Sequence, residues 1–291
     1  MGFEAHKHLT EETVKYQSNL AEKYLGKYVT YFTEENVDSY FKKCDTISIL
    51  EDMFKKNIKI INKNRSLIFY HGDKAVGAVI RNAATENLSN HFGVKIKNVI
   101  KTHYSLVRGE SHTAKGTMTA TGTRKNPLDS STGPYAYKNK ALSPEEQKII
   151  DNDGNTLAKW LYNFARKHFP DAALSYDVFK EKVSLEDDKI IGAVFCAENY
   201  EAIGHRDDDR SEFAVGYVYD EGTVEEGYFF YPEYGIVIEL ASNSVWCWLT
   251  KAVHGTSKLK ISGDGKRYTA AITLTEKTAR AIEKELINNN K

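Results

Sequence analysis

From residue 193 the chain reads Ala193-Val194-Phe195-Cys196-Ala197, and residues 193–275 alternate between apolar and polar side chains. An alternation of this kind has the two-residue period of a β-strand whose two faces differ. It predicts strands at residues 193–197, 213–219, 227–231, 235–240, 245–249 and 267–274. Short clusters of turn-forming residues separate these segments, which favours an antiparallel sandwich or barrel.

Three polar residues within this stretch form a candidate metal site. His205 and Asp207 belong to an H-x-D triplet, and His254 follows His205 by 49 residues. On an extended segment, residues i and i+2 point to the same side, so both side chains of the triplet can reach one ion. Two imidazoles and one carboxylate form the facial triad that holds Fe(II) and leaves coordination positions open. We therefore predict that His205, Asp207 and His254 are metal ligands at a catalytic centre.

A candidate anion site follows on the last predicted strand. Arg267 lies 13 residues after His254, and Thr269 comes two residues later on the same face of that strand. A guanidinium fork and a hydroxyl are suitable donors for a carboxylate. These residues therefore predict a site for one end of a dicarboxylic co-substrate, whose other end would chelate the iron.

Taken together, residues 193–275 resemble the double-stranded β-helix of Fe(II)/2-oxoglutarate dioxygenases. The run Ala193-Val194-Phe195-Cys196-Ala197 followed by His205-Arg206-Asp207 is similar in particular to the TET/JBP group, which oxidises the 5-methyl group of pyrimidines in nucleic acid. The resemblance implies Fe(II), 2-oxoglutarate and O2, the three ligands above, and Arg267 and Thr269 as contacts of the distal carboxylate. It also suggests Asn199 as a co-substrate contact. The cysteine-rich zinc-binding region of animal TET proteins is absent, so the resemblance is to a minimal microbial or fungal type.

The formal net charge of zero hides an uneven distribution of charge. Residues 55–125 contain 14 Lys and Arg against three acidic residues, a net of +11, so the rest of the chain carries −11. A basic surface attracts polyanions, which favours nucleic acid as the partner. The resemblance to the TET/JBP group implies DNA rather than RNA. Arg108, His112 and Arg124 are the candidate substrate contacts in this segment. The alternative is a solvated basic face without a partner.

The N-terminal part is expected to be mostly helical. The apolar spacing predicts helices at residues 10–25, 33–44 and 47–56, and strands at 66–70, 75–80 and 99–107. Residues 110–140 are rich in Thr, Ser, Gly and Lys and are predicted to form a lid-like loop. Ser143 and Glu146 form a capping box that begins a helix, which is expected to be interrupted near Gly154 and to end at Pro170. Residues 276–286 form a closing helix, with Thr273 and Glu276 at capping-box spacing.

These predictions combine into one α+β domain spanning residues 1–291. It consists of a mostly helical part at 1–190, a jelly-roll core at 191–275 and a C-terminal helix at 276–291. The three cysteines form no C-x-x-C pair, and the N-terminus is polar. We therefore expect no disulfide framework, no membrane segment, and an intracellular location, nuclear or cytoplasmic.

Three functions remain open at this point. The first is oxidation of the 5-methyl group of a pyrimidine in nucleic acid, 5-methylcytosine or thymine. The second keeps the iron chemistry and hydroxylates a small molecule or a protein side chain, which the acidic residues Asp208, Asp209 and Glu212 would suit if the substrate is cationic. The third is a binding module that keeps the fold without metal. Loss of metal on removal of His205 and Asp207 would separate the first two from the third.

Overall fold

The structure is a computed structural model that describes residues 4–5, 59–71, 73–102, 106–107, 114–125, 132–134, 142–183, 192–231, 234 and 236–289. The helices predicted at 10–25, 33–44 and 47–56 lie outside the described residues, as do Arg108 and His112. None of the described helices is long and apolar enough to cross a lipid bilayer.

In chain order, the described elements are β1 (Glu4–Ala5), β2 (Lys59–Ile61), β3 (Leu67–His71), β4 (Lys74–Arg81), α1 (Glu86–Thr102), β5 (Leu106–Val107), β6 (Ala114–Lys125), β7 (Thr132–Pro134), α2 (Pro144–His168), α3 (Pro170–Lys182), β8 (Ala193–His205), β9 (Phe213–Glu226), β10 (Tyr228–Tyr231), β11 (Ile236–Glu239), β12 (Ser244–Leu249), β13 (His254–Thr256), β14 (Leu259–Thr273) and α4 (Glu276–Asn289).

The strands form one curled sheet that folds into two facing layers. Its order is β1-β3-β4-β12-β9-β14-β8-β13-β10-β11-β2, and β6 adds a further strand beside β8. The long strand β8 joins the layers, because residues 193–198 pair with β14 whereas Ala202 and His205 pair with β13. Neighbouring strands of the jelly roll pair in antiparallel orientation. This is a double-stranded β-helix within an α+β fold, as the sequence predicts.

Helices cover the outer face of the larger layer, which contains β3, β4, β12, β9, β14 and the first part of β8. The rings of Phe92 on α1 and Trp160 on α2 contact the ring of Tyr217 on β9, with both contacts edge-to-face. Helix α2 begins as predicted: Ser143 Oγ accepts from the Glu146 backbone at 3.2 Å, and Glu146 Oε2 accepts from the Ser143 backbone at 2.8 Å. The helices therefore bury one face of the sheet and leave the other face to form the inside of the jelly roll.

The lid-like loop predicted at 110–140 is wrong for residues 114–125, which form β6. Thr occupies every second position from Thr117 to Thr123, a period of two that the polarity of the segment conceals. Thr is β-branched and suits a pleated strand, and Thr119 and Thr121 are buried beneath the helices. The strand pairs with β8 over most of its length.

The strand predicted at 99–107 is wrong for residues 99–102, which are the last turn of α1. The helix is explained by apolar residues at helical spacing, Phe92, Ile96, Val99 and Ile100, all of which are buried. Only Leu106–Val107 of the predicted strand is extended.

Two predictions about helix ends are also wrong. Helix α2 continues through Gly154, where the missing side chain lets the helix approach Thr121 of β6. The residue that caps α4 is Thr275 rather than Thr273, since Thr275 Oγ1 accepts from the Thr278 backbone at 3.3 Å. Helix α3, which begins at Pro170, was not predicted.

Candidate metal centre

The three predicted metal ligands meet at one end of the jelly roll. His205 ends β8 and lies directly opposite His254, the first residue of β13. Opposite residues on antiparallel strands share a face, and the two imidazole centroids are 4.5 Å apart. Asp207 completes the cluster: its carboxylate oxygens lie 3.7 Å from His205 Nε2 and 3.3 Å from His254 Nε2. One ligand atom from each residue lies within 4.8 Å of the others.

The surroundings of His254 leave its Nε2 atom ready for a metal. Its Nδ1 atom is 2.9 Å from the backbone carbonyl oxygen of Ala252. Because a carbonyl only accepts, Nδ1 carries a hydrogen, and Nε2, which lies 3.3 Å from Asp207, is the nitrogen that a metal ion would bind. The ring is buried, stacked on Phe229 at 5.7 Å and beside Trp248 at 5.6 Å. These neighbours fix the orientation of the imidazole.

Asp207 is held in an ionised state on the open side of the cluster. Burial raises the pKa of its carboxyl, but the hydrogen bond with His254 and the charges of His254 and His205 lower the pKa further, below its usual value. Its backbone N–H donates to the Thr250 carbonyl at 2.9 Å, which fixes the loop after β8. About a third of the side-chain surface of both Asp207 and His205 is accessible, at 37% and 31%. The cluster thus opens towards solvent.

The neighbouring carboxylate Asp209 has a structural environment instead. Its side chain is buried and accepts a hydrogen bond from Thr273 Oγ1 on β14. Burial, with a further contribution from the charge of Asp207, raises the pKa of Asp209 to about 6. The three acidic residues suggested for a cationic substrate, Asp208, Asp209 and Glu212, therefore offer less free negative charge than the sequence suggests. Asp209 points into the protein, Glu212 forms an ion pair with Lys74, and Asp208 is exposed.

The donor set fits Fe(II). Neutral imidazole nitrogens and an ionised carboxylate oxygen are the ligands of a 2-His-1-carboxylate site, and all three atoms converge from two strands and one loop. A buried polar contact supports one histidine, as is usual for metal-binding imidazoles.

A row of four residues, two large and two small, crosses the inside of the larger layer of the sheet. Trp246 of β12 lies opposite Gly216 of β9, which lies opposite Ala271 of β14, which lies opposite Phe195 of β8. Ala271 and Phe195 are only half-buried, although Ala270 on the other face of β14 is fully buried. The Trp246 ring occupies the room that Gly216 leaves, and the residual exposure in this row of the inner face is confined to Ala271 and Phe195.

The predicted anion site lies on the same inner face, but protein groups occupy its arginine. Arg267 Nε and Nη2 donate to the two carboxylate oxygens of Asp220 at 2.8 and 3.0 Å. Nη1 donates to the carbonyls of Glu226 and Gly227 at 3.0 and 3.2 Å, and Nη2 donates to that of Leu240 at 2.9 Å. All five N–H donors of this buried guanidinium are therefore used, and its role as a co-substrate anchor stays a prediction.

The other predicted contacts are dispersed. Thr269 lies on the inner face opposite Val218 and Ala197, where it is half-buried. Asn199 has a positive φ of 50°, and its Oδ1 atom accepts from the Arg267 backbone at 2.9 Å, so it fixes β14 against β8. Arg124 lies near the end of β6 that pairs with the start of β8, away from His205 at the other end of β8.

Several cations of the basic segment are paired with acidic residues elsewhere in the chain. The Lys Nζ to carboxylate distance is 2.5 Å in each of three pairs: Lys74 with Glu212, Lys95 with Asp153, and Lys97 with Glu221. Arg81 of the same segment is buried inside the fold. The positive charge of residues 55–125 is thus partly neutralised by acidic residues elsewhere in the same chain.

Sequence reasoning left the role of two tryptophans open. Trp246 and Trp248 are two positions apart on a strand, with Cys247 between them, so they share a face. The register places that face inside the jelly roll beside His254. The W-x-W spacing was visible in the sequence, but the face was not, because the register of the strand was unknown.

Comparison with known proteins identifies the fold. No family model and no curated protein matches this sequence. Among solved structures the chain is similar to NgTET1 in complex with 5mC DNA, with a TM-score of 0.51 and 11% identity over 85% of this chain and 93% of that one. This likeness shows that the chain has the double-stranded β-helix fold of 2-oxoglutarate/Fe(II) oxygenases.

Two further similarities are more distant. A Pseudomonas putida prolyl-4-hydroxylase has a TM-score of 0.39 at 9% identity, covering 69% of this chain and 92% of that one. An oxidoreductase of the 2OG-Fe(II) oxygenase family from Burkholderia pseudomallei has a TM-score of 0.41 at 10% identity, covering 68% of this chain and 85% of that one. Neither likeness is close enough to carry an argument about function.

Proposed function

We propose that this protein is an Fe(II)- and 2-oxoglutarate-dependent dioxygenase that oxidises a substrate C–H bond. The observation that carries the proposal is the convergence of His205, Asp207 and His254, with ligand atoms within 4.8 Å of one another. A binding module without metal has no need of an ionised carboxylate held between two imidazoles. Iron held by such a triad supplies positions for O2 and a chelating 2-oxo acid, and thereby the oxidising chemistry.

The residues of the chain would hold and shield this centre. His254, fixed by the Ala252 carbonyl, and Asp207, fixed by its backbone bond to Thr250, provide two ligands whose positions do not depend on the metal. The rings of Phe229 and Trp248 exclude water from the inner side of His254. The half-exposed side at His205 and Asp207 is then the side from which a substrate approaches.

For the substrate, the 5-methyl group of a pyrimidine in nucleic acid, preferably DNA, is the first candidate. It is supported by the likeness to NgTET1, a protein solved in complex with 5mC DNA, over 85% of this chain. A base in a duplex would have to be turned out of the stack to reach the centre. Incubation of oligonucleotides containing 5-methylcytosine or thymine with the protein, Fe(II) and 2-oxoglutarate, followed by mass spectrometry, tests this candidate.

The second candidate is the same chemistry on a small molecule or a protein side chain. It is favoured by the ion pairs of Lys74, Lys95 and Lys97, which remove cations that would otherwise meet phosphates. Turnover of 2-oxoglutarate that a metabolite or peptide stimulates and oligonucleotides do not would select it.

Metal binding tests the proposal common to both candidates. Wild-type protein should bind one Mn(II), used as a redox-stable substitute for Fe(II), and the double variant His205→Ala, Asp207→Ala should bind none. Asp208→Ala is the matched control, because it removes an exposed carboxylate beside the same loop and should leave Mn(II) binding unchanged. Equal Mn(II) binding by wild type and the double variant would refute the proposed metal centre.

A further inference from the structure

The loop between β8 and β9, residues 206–212, carries the carboxylate of the metal cluster and is called the ligand loop below. Its main chain is bonded to the junction of β14 and α4. The Arg210 N–H donates to the Leu274 carbonyl at 2.7 Å, and the Glu276 N–H donates to the Asp208 carbonyl at 2.9 Å. These bonds join main-chain groups on both sides, so the path of the ligand loop depends on where α4 begins.

The inner side of the ligand loop is also fixed, by buried side chains. The Asp209 carboxylate accepts from Thr273 Oγ1 at the end of β14. Ser211 Oγ accepts from the Leu274 N–H at 3.2 Å, and the Ser211 carbonyl accepts from Thr250 Oγ1 at 2.9 Å. The four polar residues in these contacts are all buried. The inner side of the ligand loop therefore has little freedom to move.

Arg210 holds the outer side of the ligand loop against two helices. Its Nε and Nη2 atoms donate to the two carboxylate oxygens of Glu276 at 2.7 and 2.9 Å, and Nη1 donates to Glu283 of α4 at 2.9 Å. Its guanidinium also lies over the ring of Phe179 on α3, 5.8 Å from the centroid. A planar guanidinium that contacts a carboxylate through two nitrogens fixes direction as well as distance. Arg210 thus joins the ligand loop to α3 and α4 in a defined orientation.

The metal ligand on this loop needs such support. Asp207 lies beyond the last residue of β8, and 37% of its side chain is exposed. Its own N–H is bonded to the Thr250 carbonyl, and the residues after it are bonded to β14 and α4. If the loop were free to take several positions, only a fraction of the molecules would present the carboxylate to a metal, and the apparent affinity would fall by that fraction.

We propose that Arg210 is a positioning residue of the metal centre, which keeps the Asp207 carboxylate beside His205 and His254 by tying the ligand loop to α4. This inference rests on the proposed function, because it concerns how the same cluster is held. Arg210 acts through the loop and does not itself contact the metal. Because 29% of its side chain is exposed and water screens its charge, we expect the tie to contribute little to overall stability.

Mn(II) affinity of substituted proteins tests the proposal. Arg210→Ala should weaken Mn(II) binding by about tenfold, the low end of the loss caused by removing residues that support metal ligands. Arg210→Lys should give an intermediate affinity, because an ammonium keeps the charge but cannot make the two-nitrogen contact. The apparent affinity falls through global unfolding only as far as the folded fraction falls. Weaker binding by a variant with the full native circular dichroism signal is therefore a local effect.

Two matched controls remove other partners of the same glutamates. Arg280 donates to Glu276 at 2.8 Å from within α4, and Lys182 of α3 donates to Glu283 at 2.7 Å. Neither residue belongs to the ligand loop. Arg280→Ala and Lys182→Ala should therefore bind Mn(II) as tightly as wild type.

Hydrogen exchange of the unsubstituted protein tests the same coupling without a substitution. If α4 orders the ligand loop for the metal, the metal must in turn stabilise the contacts between the loop and α4, because coupling is reciprocal. Saturating Mn(II) should slow amide exchange in peptides that contain the start of α4, residues 275–281, by about fivefold or more. Peptides from α2 are the comparison and should exchange at an unchanged rate.

The outcomes separate this inference from the proposed function. If wild type binds Mn(II) and folded Arg210→Ala binds it equally tightly, or if Arg280→Ala loses as much affinity, the inference is overturned and the metal centre stands. Unchanged exchange at the start of α4 in the Mn(II)-loaded protein also overturns it, even where Arg210→Ala does not fold. If wild type does not bind Mn(II), the proposed function is overturned and this inference with it.

Discussion

The contact between Arg267 and Asp220 makes a prediction about stability that also decides what Arg267 does. Replacing Asp220 with Ala removes both carboxylate acceptors, at 2.8 and 3.0 Å, and leaves a guanidinium of which only 3% is exposed. Breaking a buried ion pair in this way costs about 3–5 kcal/mol, because the remaining charge is buried without compensation. The three carbonyl contacts hold the guanidinium in place, so it cannot easily move to water.

Urea unfolding is the assay. We expect the Asp220→Ala variant to show a lower midpoint with an unchanged slope, which identifies a change in stability rather than in the exposed surface. Asp264→Ala is the control, since it removes an exposed carboxylate from β14 and should change the free energy of unfolding by less than about 0.5 kcal/mol.

If Asp220→Ala lowers the free energy of unfolding by less than about 1 kcal/mol, this reasoning is refuted, because exposed ion pairs contribute amounts in that range. Such a result would mean that Arg267 is not committed to Asp220 and is available to a carboxylate ligand. The large loss instead assigns Arg267 to the structure of the corner between β9, β10 and β14.

Three further predictions concern an ion pair of α4, a close contact inside the jelly roll and a core residue of α1. Glu276 forms a hydrogen-bonded ion pair with Arg210, which lowers the pKa of the Glu276 carboxyl from 4.5 to about 2. The contribution of Glu276 to stability is therefore complete above pH 4.5 and is lost as the pH falls towards 2. Arg210→Ala should reduce this loss, measured as urea midpoints between these two pH values. Gly216→Ala should displace the indole of Trp246 and destabilise the fold by about 1–3 kcal/mol, with a shift in tryptophan fluorescence. Phe92→Ala should cost about 3–5 kcal/mol in thermal or urea unfolding, since the ring is 1% exposed.

The convergence of His205, Asp207 and His254 could be predicted from the sequence because part of it is local; their role as metal ligands stays a prediction. His205 and Asp207 are two residues apart, and although Asp207 lies just beyond the end of β8, so short a separation keeps the two side chains close together. His254 needed only to be placed near these two residues by a later strand of the same sheet. The alternating pattern of residues 193–275 indicates such a sheet. What could not be predicted is the pairing of Arg267 with Asp220, since it depends on the register of β9 against β14. A shift of one residue would turn either side chain to the other face.

The errors in the N-terminal part have a different cause. The polarity of Thr117 and its alternating partners conceals a strand, because polar residues are typical of loops although the β-branched shape of Thr favours extension. At residues 99–102 a short apolar run fits both a strand and the last turn of a buried helix, and periodicity over so few residues does not separate them. In both places the decisive information is tertiary: β8 pairs with one edge of β6, and α1 packs on the sheet.

The charge of residues 55–125 allows a last prediction, about Lys97. Its Nζ atom lies 2.5 Å from Glu221 of β9, and 25% of its side chain is exposed. Each lysine that neutralises a phosphate contributes about 0.9 to the slope of log affinity against log salt for duplex DNA. We expect Lys97→Ala to leave that slope unchanged, because Glu221 rather than a phosphate neutralises the cation. Lys125→Ala, which removes an exposed lysine at the end of β6, is the comparison. A slope reduced by about 0.9 in Lys97→Ala would show that this ion pair opens to bind DNA. Absence of DNA binding at low salt would instead remove the nucleic-acid candidate and leave the small molecule or protein side chain.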